Sequence, residues 1–222
     1  MSDQVLTLDS ADDRLVLTRI EARVLGCLIE KAATTPDVYP LTVNALQLAC
    51  NQKSSRDPIM NVEIGEVGHA LHTLQEKKLA RVEHGARVLR YAHTADTNLN
   101  LMSRSLAIIG LLLLRGPQTA GELFTRSERL ADFPNQESLG DALDRLIARE
   151  PSLVVRLGRG AGQREDRYMH LLSGPVSAEV SSSRAVEREP SRMEALELRI
   201  AALEKDVAEL RGLLEQRGSG ER

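Results

Sequence analysis

Asn51-Gln52-Lys53-Ser54-Ser55-Arg56-Asp57-Pro58-Ile59-Met60 is a polar stretch lying between two runs of helical periodicity, residues 41–50 and 63–78. Pro58 biases the residue before it away from helix, so the stretch reads as a connection between helices, its exposed polar face carrying Lys53 and Arg56. Helix, turn and helix then form a helix-turn-helix unit, in which the later helix is the one presented to a partner.

Working outward, Thr18 to Glu21 matches a T-x-x-E capping box, and Ile20, Val24, Cys27, Leu28 and Ala32 follow at helical spacing. A first helix is predicted over residues 19–33. Thr42 is a candidate N-cap for the second helix, with Leu46 and Ala49 inward. Asn61 is the candidate cap of the third, whose apolar stripe is Ile64, Val67, Leu71 and Leu74. From residue 80 the period becomes two: residues 80–83 and 88–91 alternate around His84-Gly85-Ala86-Arg87, which predicts a hairpin. Three helices and a hairpin make a winged helix.

The order then recurs. Residues 106–114 read as a buried helix ended by Gly116-Pro117, and Thr119 to Glu122 gives a second capping box. Asn135 caps a further helix with Leu139, Leu143, Leu146 and Ile147 inward. Residues 153–157 and 167–172 read as strands around a glycine-rich turn. The hairpins end alike, in Arg90-Tyr91-Ala92-His93 and Arg167-Tyr168-Met169-His170, 77 residues apart. That echo after matching patterns indicates a duplication.

Glu21-Ala22-Arg23-Val24, Glu30-Lys31, Thr34-Thr35-Pro36-Asp37-Val38-Tyr39-Pro40-Leu41, Asn44-Ala45-Leu46 and the block from Ala49 to Met60 resemble the bacterial YceH-like family. Gly121-Glu122-Leu123 and Arg164-Glu165-Asp166-Arg167-Tyr168-Met169-His170-Leu171 continue the likeness, which covers residues 17–174. The resemblance implies a pair of winged-helix domains in a bacterial cytoplasmic protein and leaves the activity open.

Beyond residue 173 the composition changes. Residues 174–191 are rich in Ser, Glu, Pro and Val without periodicity and read as a linker. Met193, Leu196, Ile200, Leu203, Val207, Leu210 and Leu214 then follow 3-4 spacing, the seam of a parallel coiled coil. The flanking pairs Arg192 with Glu197, Arg199 with Glu204, and Asp206 with Arg211 are all opposite in charge across such a dimer. About three heptads are marginal alone, so a single amphipathic helix packing on its own domains is the competing reading. The expected fold is mainly α with small β-hairpins: two tandem winged-helix domains plus a C-terminal coiled-coil helix. The expected boundaries are an acidic disordered tail (1–13), the first domain (14–102), the second (103–173), the linker (174–191), the coiled coil (192–216) and a disordered tail (217–222).

Composition narrows the function. With 42% hydrophobic residues, 2% aromatic and no Trp, the cores must be aliphatic. The net charge of −3 divides into +2 over 14–102, +1 over 103–173, −2 over 174–222 and four Asp before residue 14, so no part is a strongly basic block. The N-terminus is acidic, unlike a secretory signal, and the run 106–114 is too short to span a bilayer, so a cytoplasmic location without membrane contact is expected. Cys27 and Cys50 signal neither a disulfide framework nor a metal site, and Cys27 lies on the apolar side of its helix. Phosphate-loop, zincin and nucleophile-elbow motifs are all missing, so a non-enzyme without cofactor or metal is expected.

A DNA-binding homodimer is the first functional expectation. Its candidate contacts are Lys53 and Arg56 beside the first recognition helix, Arg81, Arg87 and Arg90 on the first hairpin, and Arg156, Arg159, Arg164 and Arg167 on the second. Against it, the third helices open with Glu63 and Glu66, and with Glu137, Asp141 and Asp144, carboxylates that would repel phosphates. The alternative is a scaffold that uses its winged helices to hold another protein.

Overall fold

The computed structural model describes residues 15–84, 88–158 and 165–176, all of which belong to one compact unit, Met1–Ala178. The coiled-coil seam from Met193 to Leu214, the two tails, and Arg87, Arg159 and Arg164 lie outside the described residues.

The described chain is mainly helical with small antiparallel sheets. In the first half, α1 (Arg19–Thr34) is followed by a short 3-10 turn, α2 (Val43–Cys50), α3 (Ile64–Glu76) and the strands β1 (Ala80–His84) and β2 (Leu89–His93). A short α4 (Ala95–Asn98) leads into the second half: α5 (Ser103–Arg115), β3 (Gln118–Thr119), α6 (Ala120–Ser127), α7 (Gln136–Ala148), β4 (Val154–Leu157) and β5 (Arg167–His170).

Helix starts follow local chemistry. At α1 the Thr18 hydroxyl accepts from the Glu21 amide (3.2 Å), and the Glu21 carboxylate accepts from the Thr18 amide (3.0 Å). Each relieves a donor that the first helical turn leaves without a partner. Thr119 and Glu122 repeat the box at α6, while Thr42 and Asn135 cap α2 and α7 as expected. The third helix differs from the sequence reading. Its N-cap is Glu63, with Glu66 reaching back to the Glu63 amide (2.7 Å), and Asn61 lies outside the helix. Ile64, expected inward, is 48% exposed: it is the first residue of the helix, and the buried stripe of Val67, Leu71 and Leu74 begins one turn later.

The two halves repeat in detail. Tyr91 exchanges both backbone hydrogen bonds with Leu41 (2.7 and 3.1 Å), just before Thr42 begins α2. Tyr168 pairs with Gln118, just before Thr119 begins α6. The second half builds this contact into a three-stranded sheet of order β3-β5-β4, whereas β1 and β2 form a two-stranded one.

The halves share one aliphatic core. Residues 21–29 of α1 and 107–114 of α5 are buried around the whole helix circumference, which marks both as central rather than surface helices. They cross reciprocally: a methyl on Gly26 would lie 2.9 Å from Leu114 Cγ and 3.1 Å from Leu113 Cβ, and one on Gly110 would lie 2.8 Å from Ile29 Cγ2. Each glycine receives the residue three positions after the other, or its neighbour, so the backbones approach more closely than any side chain would allow.

This crossing predicts a contrast. Gly26→Ala or Gly110→Ala should lower stability in urea unfolding by about 1–3 kcal/mol through overpacking. Gly68→Ala and Gly140→Ala, where an added methyl meets nothing within 4 Å, should instead raise it by up to about 1 kcal/mol.

Candidate functional site

The polar stretch 51–60 is built around an inward cation. Arg56 is 5% exposed, which corrects its assignment as a nucleic-acid contact. Its Nη1 and Nη2 fork onto the two oxygens of Glu30 (3.1 and 2.6 Å), and the remaining donors reach the Ala49 carbonyl (3.0 Å), the Ser55 carbonyl (2.8 Å) and Gln52 Oε1 (2.9 Å). Burial favours a neutral Glu30, but the Arg56 fork reverses that effect and holds the carboxyl below its ordinary range. No donor is left over for a phosphate.

A second guanidinium works beside it. Arg23, 2% exposed on α1, donates to the carbonyls of Cys50 (3.0 Å) and Pro58 (2.6 Å). Ala49 and Cys50 close α2, so the two arginines satisfy carbonyls that the helix end leaves open, with the charge its dipole favours. Asn51 fixes the far side of the loop: its side chain accepts from the Val62 amide (2.7 Å) and donates to the Val62 carbonyl (2.9 Å). The Asp57 amide donates to the carbonyl of Leu114 at the end of α5 (3.0 Å), tying the loop to the second half. Sequence reading placed Arg23 and Glu30 within the family likeness but gave them no role, although Arg23, Cys27 and Glu30 at i, i+4 and i+7 lie along one stripe of α1.

The other candidate cations fall into distinct settings. Lys53 is exposed and makes no hydrogen bond or ion pair among the described residues. Arg81 forks onto Glu83 and Arg156 onto Asp166. Arg90 donates to the Pro40 carbonyl (2.8 Å) and Arg167 to the Pro117 carbonyl (3.0 Å), each pinning the segment that enters the second helix of its half.

The outward faces of the third helices are acidic. On α3, Glu63, Glu66 and Glu76 are exposed beside His69 and His72, and the helix carries no Lys or Arg. On α7, Glu137, Asp141 and Asp144 are exposed, with Arg145 as the one basic residue of the helix. His93 and His170, equivalent in the two hairpins, each keep an Nδ1 without a hydrogen-bond partner. Burial alone pushes His170 down to about 4. Cys27 and Cys50 are buried, and the neighbouring Cys27 thiol, with burial, pushes the Cys50 thiol up. Among the described residues no group of three or more His, Cys, Asp or Glu side chains is arranged to hold a metal, and no helix is long and apolar enough to cross a membrane.

A duplicated, mainly helical unit with its inter-helix loop clamped by buried arginines is the class of protein these features define. The chain belongs to the family described as "Protein of unknown function, DUF480", whose model matches residues 17–163. It is 52% identical over 209 residues to UPF0502 protein mll4256 of Mesorhizobium japonicum, covering 94% of this chain and 99% of that protein. A UPF0502 protein of Xanthomonas campestris is 50% identical over 204 residues (90% and 91% covered), and one of Pseudomonas syringae is 47% identical over 208 (89% and 93%).

Two stability predictions follow from this geometry. Arg56→Ala should cost about 3–5 kcal/mol in urea unfolding, because it strands the Glu30 carboxylate, whereas Lys53→Ala should stay within about 0.5 kcal/mol. His170, whose folded pKa is depressed, excludes a proton that the unfolded chain accepts. Its contribution is therefore complete above about pH 6.5 and is lost as pH falls towards about 4, on the order of 3 kcal/mol in all. His170→Gln should flatten that limb of the stability profile.

Proposed function

We propose that the protein is a non-enzymatic scaffold made of two winged-helix halves, which holds a basic protein partner against the acidic outward faces of α3 and α7. Winged-helix character is supported by the order of three helices and a hairpin, found twice with the strand pairing offset by 77 residues. The observation that carries the interaction reading is the charge of the third helices. A helix that enters a major groove passes between two rows of phosphates, yet α3 has no Lys or Arg and α7 exposes three carboxylates against one arginine. Its natural complement is a surface rich in Lys and Arg.

DNA binding is the second reading, favoured by the exposed Arg81, Arg90 and Arg156 beside the hairpins. It is weakened by the partners those side chains already hold and by the loss of Arg56 to the interior. In either reading the heptads of 192–216 dimerise the chain.

Fluorescence anisotropy of duplex DNA across a salt series separates the two. The scaffold reading predicts no saturable binding at low salt, while a steep negative salt slope would support the DNA reading. Glu137→Lys/Asp141→Lys/Asp144→Lys should abolish retention of the physiological partner in a pull-down; a DNA-binding surface would instead gain affinity from that reversal.

A further inference from the structure

A polar cleft of about 480 Å³ opens where the end of α1, the loop after α2 and the segment after α6 meet. Its walls present Lys31, Lys53 and Arg129 together with Ser54 and Ser55, and Glu30 is the one carboxylate in the lining. Arg56 already occupies both oxygens of Glu30 from beneath (3.1 and 2.6 Å), so that carboxylate, shared between the buried guanidinium and Lys31, leaves the cleft with an excess of positive charge. Lys31 leans towards Glu30 at 3.5 Å, whereas Lys53 and Arg129 are exposed and make no hydrogen bond or ion pair among the described residues.

The loop also offers neutral donors. The amides of Lys53, Ser54 and Ser55 and the two serine hydroxyls meet no acceptor among the described residues, and Ser55 adopts a positive φ of 61°. Successive unpaired amides in a turn that includes left-handed backbone are a recurrent means of holding an anion. This loop is also held still, by Arg56, Arg23 and the Asp57 amide, so little ordering remains for a ligand to impose.

We propose that this cleft binds the phosphate group of a small phosphorylated metabolite. The polar lining disfavours an apolar ligand, and the volume lies within the range of roughly 300–1,000 Å³ common for small-molecule sites, more than inorganic phosphate alone would fill. Lys53 and Arg129 are its principal contacts, from the first and second halves respectively, so an occupied cleft bridges the two. The site does not depend on which macromolecule the third helices recognise.

The test is calorimetric titration of the full-length protein with pyrophosphate and with inorganic phosphate, chloride keeping the ionic strength constant. Saturable binding is expected, weakened at least about tenfold in Lys53→Ala/Arg129→Ala, the scale of losing one charge-assisted contact. Lys53→Gln alone should weaken it in the same direction if the double variant folds poorly. Arg145→Ala, outside the cleft, should leave binding unchanged. Absence of saturable binding to the wild-type protein, unaltered binding in the Lys53 and Arg129 variants, or equal loss in Arg145→Ala would each overturn the proposal. So would displacement of pyrophosphate by duplex DNA, which would assign the cleft to a nucleic-acid backbone.

Discussion

A guanidinium taken out of water must have its charge matched and its donors accepted, and the fold around residues 49–58 is arranged to do both for Arg56. Its fork onto Glu30 joins the loop to α1, its Nε closes the end of α2, and its remaining contacts hold the turn from Gln52 to Ser55. Arg23 adds a second set of contacts from the same face of α1. The loop between the second and third helices is therefore anchored to the interior through Arg56. Its outward surface, with Lys53 and Ser54, has a shape set from below.

The position of α1 is fixed in turn by its crossing with α5. Gly26 and Gly110 remove the side chains that would hold the helices apart, and the leucine and isoleucine opposite fill the space. Two similar halves thereby bury one face of each central helix in the other half instead of exposing it. The Asp57 amide on the Leu114 carbonyl links this helix pair to the clamped loop, so packing at the centre and polar contacts at the edge support the same geometry.

Much of this was legible in the sequence where the controlling interaction is local. Thr18, Thr42, Thr119 and Asn135 act within three residues of themselves, and the hairpins follow a period-two pattern that tertiary contacts reinforce. Arg56 was misread for the opposite reason: a cation among small polar residues looks solvated, and the carboxylate that draws it inward is 26 residues earlier. Asn61 has the right chemistry for a cap, but Asn51 holds Val62, and the helix begins after Glu63, whose amide donates to the Glu66 carboxylate. Neither α4 nor β3 is long enough to have a period. The reciprocal glycines carry no sequence signature, since an isolated glycine in a helical run shows its purpose only when the facing helix is known. The acidic third helices were read from the sequence, and their outward placement gives that reading its weight.

The Glu30–Arg56 pair organises the loop, and a double-mutant cycle tests that role directly. Urea unfolding of the wild type, Glu30→Gln, Arg56→Met and the double variant should yield a coupling energy of about 2–3 kcal/mol, towards the upper end for residues in contact. The double variant should recover part of what either single change loses, because it leaves no buried charge unpaired. Losses that add to within about 0.5 kcal/mol would contradict the account, since they would mean that each side chain stabilises the fold without the other.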